Sequence, residues 1–154
     1  MTAPSVRLAE LGIELPAVAA PLASYVPSKV TDSIVRSSGQ LPFVKGQLSA
    51  TGRLGGGVSI EEGRQAARVC VLNALAAVAE AAGGIDNIDS IVHVTGYVAS
   101  DSSFFDQPAV VNGASDVLGE IFGNDGQHTR SAVGVAVLPM NAPVEIEITC
   151  RLTS

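Results

Sequence analysis

The chain has 154 residues, of which 47% are hydrophobic but only 4% aromatic, and tryptophan is absent. That length suits one domain whose core needs no metal or disulfide staple, built from Ala, Val, Leu and Ile in tightly packed helix-on-sheet layers. A net charge of −6, with nine Lys and Arg scattered and forming no run, argues against nucleic-acid binding, because an acidic surface repels phosphate backbones.

Taken in order, residues 1–16 hold no apolar stretch of signal-peptide length, and no later window reads as a membrane span. A cytoplasmic location is the expectation. Leu8, Leu11, Ile13 and Leu15 predict a short helix or an ordered lead-in that Pro16 stops, so residues 1–20 form an N-terminal extension and 21–154 the domain proper. Residues 26–30 and 34–38 predict two strands joined near Thr31-Asp32-Ser33 as a hairpin, with Pro27 marking an edge or a bulge. Residues 43–58 are rich in Gly and polar side chains. Their run Gly52-Arg53-Leu54-Gly55-Gly56-Gly57 lacks both a Gly-Lys-Ser/Thr ending and a GxGxxG spacing after a strand, and it reads as a flexible surface loop.

Ser59 followed by Glu62 forms a capping-box pattern, and Gly83-Gly84 supplies a stop, predicting a helix over residues 60–82. From residue 69 that helix is apolar almost all round except at Asn73 and Glu80, so it must be covered on more than one side. Cys70 and Cys150 sit in apolar runs and read as small core side chains rather than as a disulfide. Residues 88–98 predict a strand with Val92, Val94 and Val98 on one face and Ile91, His93, Thr95 and Tyr97 on the other. A second helix over 104–122, closed by Gly123, tolerates Pro108 only near its first turn. Strands over 131–138 and 144–152 follow, linked through a turn at 139–143. The order β-β-α-β-α-β-β gives an α/β (α+β) domain, one mixed sheet with two helices on one face. Charged residues make up only 16%, few for a domain of this size, and burial of surface against further copies of the chain would account for it.

Three segments carry a family pattern. Tyr25-Val26 leads into Ser38-Gly39-Gln40-Leu41-Pro42; Arg130-Ser131-Ala132-Val133 runs to Leu138-Pro139; and Val144-Glu145-Ile146-Glu147-Ile148 follows. In this order and spacing they resemble the Tyr-Val…Ser-Gly-Gln-Ile-Pro, Arg-Ser-x-Val…Leu-Pro and Val/Ile-Glu-Ile-Glu segments of the Rid (YjgF-like) family. The resemblance covers residues 21–152. It implies a chorismate-mutase-like fold, a homotrimer with three clefts at subunit interfaces, and hydrolysis of reactive enamines and imines to 2-oxo acids and ammonia, with no cofactor and no metal. It also implies that Arg130 binds the substrate carboxylate and Glu145 orients the attacking water. Tyr25, Ser38 and Gly39 would line the pocket, and Asn112 corresponds to a family Asn on the second helix.

The chemistry is consistent with those roles. A guanidinium keeps its charge and offers a planar fork that matches a carboxylate. A carboxylate can hold a water and accept its proton, and Gly39 lets backbone approach a ligand closely. Arg130 and Glu145 begin the last two strands, whose pairing would bring both to one end of the sheet. Plainer readings stand beside these: Arg130 in a surface or interface ion pair, Glu145 and Glu147 solvated on one strand face, Tyr25 as packing. His93 and His128 read as structural or exposed, although His128 lies two residues before Arg130.

Four departures mark a divergent branch: Ala132 where the best-known members often carry Cys, His128-Thr129 before the arginine, a longer 43–58 loop, and the N-terminal extension. The functions in competition are an enamine/imine deaminase, a non-catalytic trimeric binder of small carboxylates, and a ribonuclease. The acidic charge and few aromatics disfavour the last. No nucleic-acid or membrane partner is expected.

Overall fold

Turn chemistry and caps set the local elements. In the computed structural model, which describes residues 2–20 and 23–154, helix α1 (Pro4–Glu10) begins with Pro4 in its first turn, where a missing N–H costs nothing. It starts earlier than Leu8 and gives way to an extended lead-in, from which Leu11, Ile13 and Leu15 pack against the core. Ser5 donates to Asp86 from its backbone N–H at 2.8 Å and its hydroxyl at 2.6 Å. Arg7 donates to the Glu120 carbonyl through Nε and Nη2, at 3.1 and 3.0 Å. The N-terminal segment is thereby fastened to the domain.

Strands β1 (Ser28–Thr31) and β2 (Ile34–Ser37) form the expected hairpin, turning through Asp32 at φ 54°, a left-handed conformation that Asp tolerates. The 43–58 segment is not a flexible surface loop. It contains two short ladders, β3 (Phe43–Val44) with β4 (Gln47–Leu48) and β5 (Arg53–Leu54) with β6 (Gly57–Val58). Leu54 is fully buried, and its carbonyl accepts from Asp101 N–H at 2.8 Å. The apolar Leu54 and Val58 anchor what the glycines make sharply turned.

Helix α2 (Ile60–Ala82) has the predicted ends: Ser59 and Glu62 form a reciprocal capping box, and Gly83 closes it at φ 80°. By length and composition α2 is long and apolar enough to cross a bilayer, contrary to the sequence-based expectation, but the qualifying window is 61% buried within the fold. It is the core helix, covered by the sheet beneath and by α3 (Gln107–Phe122) beside it. The helices approach closely at Gly113, where an added β-carbon would stand 2.1 Å from the Arg64 carbonyl oxygen.

The five-stranded sheet has the order β1-β2-β9-β7-β8, with β7 (Ile88–Ala99), β8 (Thr129–Val135) and β9 (Val144–Leu152). β8 runs parallel to β7, and β9 is antiparallel to both β2 and β7. The expected adjacency of the last two strands does not occur, because α3 makes the crossover that parallel neighbours require and β9 then takes the other edge of β7. The simple alternation assigned to β7 also fails in its first half. Its pairing with β9 slips between Ile88 and Ser90 and again between Ile91 and His93. Each slip is a β-bulge, which shifts the following side chains to the other face. Ile88, Ile91, Val94 and Val98 consequently face the helices, while Val92 is exposed. The mixed sheet, with α2 and α3 on one face, matches the predicted architecture.

Candidate functional site

Arg130 sits second in β8, opposite buried Val94, so its side chain leaves the helix-facing side of the sheet and runs across α3. Nη1 donates to Asn112 Oδ1 at 2.7 Å and to Ser115 Oγ at 3.2 Å, and Nη2 to the Pro108 carbonyl at 3.4 Å. Positions 108, 112 and 115 are four and three residues apart and share one helix face. All three acceptors are neutral. Among the described residues no carboxylate lies within ion-pair distance of Arg130, whereas Arg7 and Arg36 each have one and Arg64 has two. Beside the guanidinium opens a pocket of about 390 Å³, lined by Asn112, Ser115, His128 and Arg130 and floored by Gly119, Gly123 and Gly126.

Glu145 belongs to the other face. It stands between buried Val144 and Ile146 on β9, opposite Tyr97, and so leaves the side away from the helices. Gln40 and Ile146 exchange backbone hydrogen bonds at 2.8 and 3.0 Å, which brings the preceding Gly39 onto Glu145. A β-carbon there would lie 2.8 Å from the Glu145 carboxyl carbon. The Ser38 hydroxyl donates to the Val26 carbonyl at 2.6 Å, and its N–H to the Pro27 carbonyl at 2.8 Å. These bonds tie the end of β2 to the residues after Tyr25, which lines a narrow cleft of about 30 Å³ with Gly39. Glu147 accepts from Tyr97 Oη at 3.1 Å and from Arg36 Nη2 at 3.3 Å. Burial first, and the nearby Glu147 carboxylate second, push the Glu145 carboxyl above its ordinary pKa, as expected for a charge that is partly desolvated.

The six predicted residues therefore form two groups. Arg130 and Asn112 touch directly; Tyr25, Ser38, Gly39 and Glu145 gather on the opposite face. The expectation that Arg130 and Glu145 meet at one end of the sheet is not met within a chain. Arg130 registers through Val94 to Ile148, three residues from Glu145, with β7 between them. That is about 10 Å along the strands and about 10 Å across, with the side chains diverging. Ser115 and Tyr97 were not among the predicted site residues. Ser115 is three residues after Asn112 on a helix, and Tyr97 lies on the sheet face where the neighbouring β9 presents Glu147. A further cleft of about 710 Å³, between residues 14–20, Phe43–Gly46 and α2, contains none of the six. Among the described residues no cluster of His, Cys, Asp or Glu is placed to hold a metal ion.

A family model described as "YjgF/chorismate mutase-like, putative endoribonuclease" matches residues 5–151. The chain belongs to this family. The match starts within α1, so it includes most of the N-terminal segment. Protein TCP17 of Trypanosoma cruzi is 40% identical over 149 residues, covering 96% of this chain and 93% of TCP17. Among solved structures, Atu1372 of Agrobacterium tumefaciens, of unknown function, is 38% identical, with a TM-score of 0.89 over 99% of this chain and 94% of that one. A Shewanella oneidensis protein carrying the same endoribonuclease label is 36% identical, with a TM-score of 0.94 over 98% of this chain and all of that one. The YjgF protein of E. coli is more distant, at 27% identity and a TM-score of 0.64 over 88% of this chain and 92% of its own. This YjgF-like chain thus has the chorismate-mutase-like fold, and its shape is nearer to the first two structures than to YjgF itself.

Proposed function

We propose that the protein hydrolyses reactive enamines and imines of small 2-amino acids to 2-oxo acids and ammonia, in sites shared between copies of a homotrimer. The observation that carries this reading is the state of Arg130: its guanidinium is held by Asn112, Ser115 and Pro108, all neutral, and its charge has no carboxylate partner among the described residues. The guanidinium is half-buried at the edge of an open pocket, and a ligand carboxylate there would pair its charge with two hydrogen bonds. A relative, E. coli TdcF, was solved with bound serine, a small carboxylate, which supports the same ligand class.

Hydrolysis needs a second group, and Glu145 fits it. A carboxylate whose pKa is raised towards neutrality is a better base for water. An enamine first tautomerises to the imine. Water adds to the imine carbon as Glu145 takes one water proton and passes it to the nitrogen, giving the carbinolamine. Glu145 then takes the hydroxyl proton and delivers it to the nitrogen as the C–N bond breaks, so that ammonia leaves and the 2-oxo acid remains. Arg130 and Glu145 point from opposite faces of one sheet, so one small substrate can reach both only where a second copy of the chain brings its own Arg130 or Glu145. That requirement supports the trimer.

The test generates imines in situ with an amino-acid oxidase and follows their loss with wild type, Arg130→Ala and Glu145→Ala, beside light scattering for the oligomeric state. Activity lost in both variants of a trimeric protein is the expected result. Carboxylate binding without turnover would leave a binding protein, and full activity in Arg130→Ala would overturn the reading.

A further inference from the structure

Beside Arg130 a chain of hydrogen bonds runs in one direction. His128 Nδ1 lies 2.6 Å from the Gly126 carbonyl oxygen. A carbonyl only accepts, so Nδ1 carries the proton. Burial of the ring is the main cause that holds its pKa below the ordinary histidine value; Arg130 and His93 add to it, and the Gly126 bond opposes it. The ring is thus neutral near pH 7 and offers a bare lone pair at Nε2. Ser115 Oγ is 2.9 Å from Nε2, and its hydroxyl hydrogen goes there. That choice turns the oxygen lone pairs of Ser115 to Arg130 Nη1, which can only donate.

We infer that Ser115 and His128 are a positioning pair for Arg130, with His128 acting through the Ser115 hydroxyl. The inference rests on the reading of Arg130 as the carboxylate anchor. Asn112 and Ser115 both accept from Nη1 and the Pro108 carbonyl accepts from Nη2, leaving the Nε–H and the second Nη2–H as the fork that meets a ligand. Without His128 the Ser115 hydroxyl could rotate and donate to a carbonyl of its own helix, and the guanidinium would lose one of the three acceptors that hold it. The edge left open, Nε with Nη2, is one that can take a carboxylate through two parallel hydrogen bonds. The departure at position 128 from the family pattern, together with Ser115, supplies the device.

Two measurements test it. Nitrogen-15 NMR of the ligand-free protein should show His128 as the neutral ring protonated at Nδ1, with the Nε2 resonance shifted in Ser115→Ala. In the imine assay Ser115→Ala and His128→Ala should each raise KM about tenfold, the scale of one charge-assisted hydrogen bond, with kcat little changed. The double variant should be no worse than either single one, and His128→Gln, which keeps an acceptor for Ser115, should restore most of the loss. An Nε2-protonated or charged ring, or single effects that multiply in the double variant, would overturn the pairing. If Arg130→Ala keeps the wild-type KM, the anchor reading itself fails and the pair positions nothing that binds, whatever the histidine spectrum shows.

Discussion

Gly39 lies against the Glu145 carboxyl so closely that a β-carbon on it would stand 2.8 Å from the carboxyl carbon and 2.9 Å from Oε1. The obstructing atoms are the far end of a flexible side chain, so Gly39→Ala pushes the carboxylate aside rather than breaking the backbone. The variant should melt within a few degrees of wild type, a shift of about 1 kcal/mol or less. On the proposed reading of Glu145 as the base it should lose imine hydrolysis by tenfold or more, because the displaced carboxylate would no longer meet its water. A thermal melt paired with the assay separates these outcomes; unchanged activity would show that the Glu145 position is immaterial.

Glu145 also sets a pH dependence. Its folded pKa is raised above the ordinary carboxylate value, by burial and then by Glu147. The folded state therefore holds its proton to higher pH than the unfolded chain does, and between the two pKa values the fold loses stability as pH rises. Glu145→Gln should raise Tm near pH 7 and give progressively less advantage as pH falls to the unfolded carboxylate range of about 4.3. Melts across that range check the sign; a gain that grows on acidification would contradict it.

At Gly113 the obstruction is backbone. A β-carbon 2.1 Å from the Arg64 carbonyl oxygen cannot be relieved by a rotamer, so Gly113→Ala must separate α2 from α3. The expected cost is at least about 2 kcal/mol, read from urea unfolding. Gly119, in the same helix with open space around it, is the control: Gly119→Ala should be neutral or stabilising, since Ala favours helix.

Cys70 and Cys150 are free and fully buried. Burial pushes the Cys150 thiol up to about 12, and Cys70 well above its usual value, with Glu145 adding to the effect of burial. Neither forms thiolate at neutral pH. A disulfide reagent should titrate neither in the native protein and both at once on unfolding; a fast-reacting native thiol would refute this.

Residues whose structural role is written in their neighbours were legible. Ser59 with Glu62, Gly83, and the Asp32 turn fixed their elements, and the apolar runs identified both helices and the core strands. What stayed hidden depends on contacts distant in sequence. The bulges of β7 exist only against β9, so alternation grouped Val92 with Val94 and Val98 and put Ile91 on the opposite face, whereas Ile91 is buried with Val94 and Val92 is exposed. The insertion of β7 between β8 and β9 follows from the α3 crossover, and no local pattern encodes it. In the same way the motifs named Arg130, Glu145, Asn112 and Gly39 but not their division between two faces. Ser115 was missed because a serine in mid-helix has no signal until the arginine lies over it.

The three groups that hold Arg130 are read off one rod at fixed spacings, Pro108, Asn112 and Ser115. An α-helix turns about 100° per residue, so inserting or deleting a single residue between 108 and 115 would swing one part of this set away from the rest. The helix serves as a ruler, and the geometry that holds the guanidinium is stored in its phase as much as in the identity of its side chains. A change of length beyond Ser115, as in the glycine-bearing turn at Gly123–Gly126 that leads into β8, would leave the spacing of the three intact.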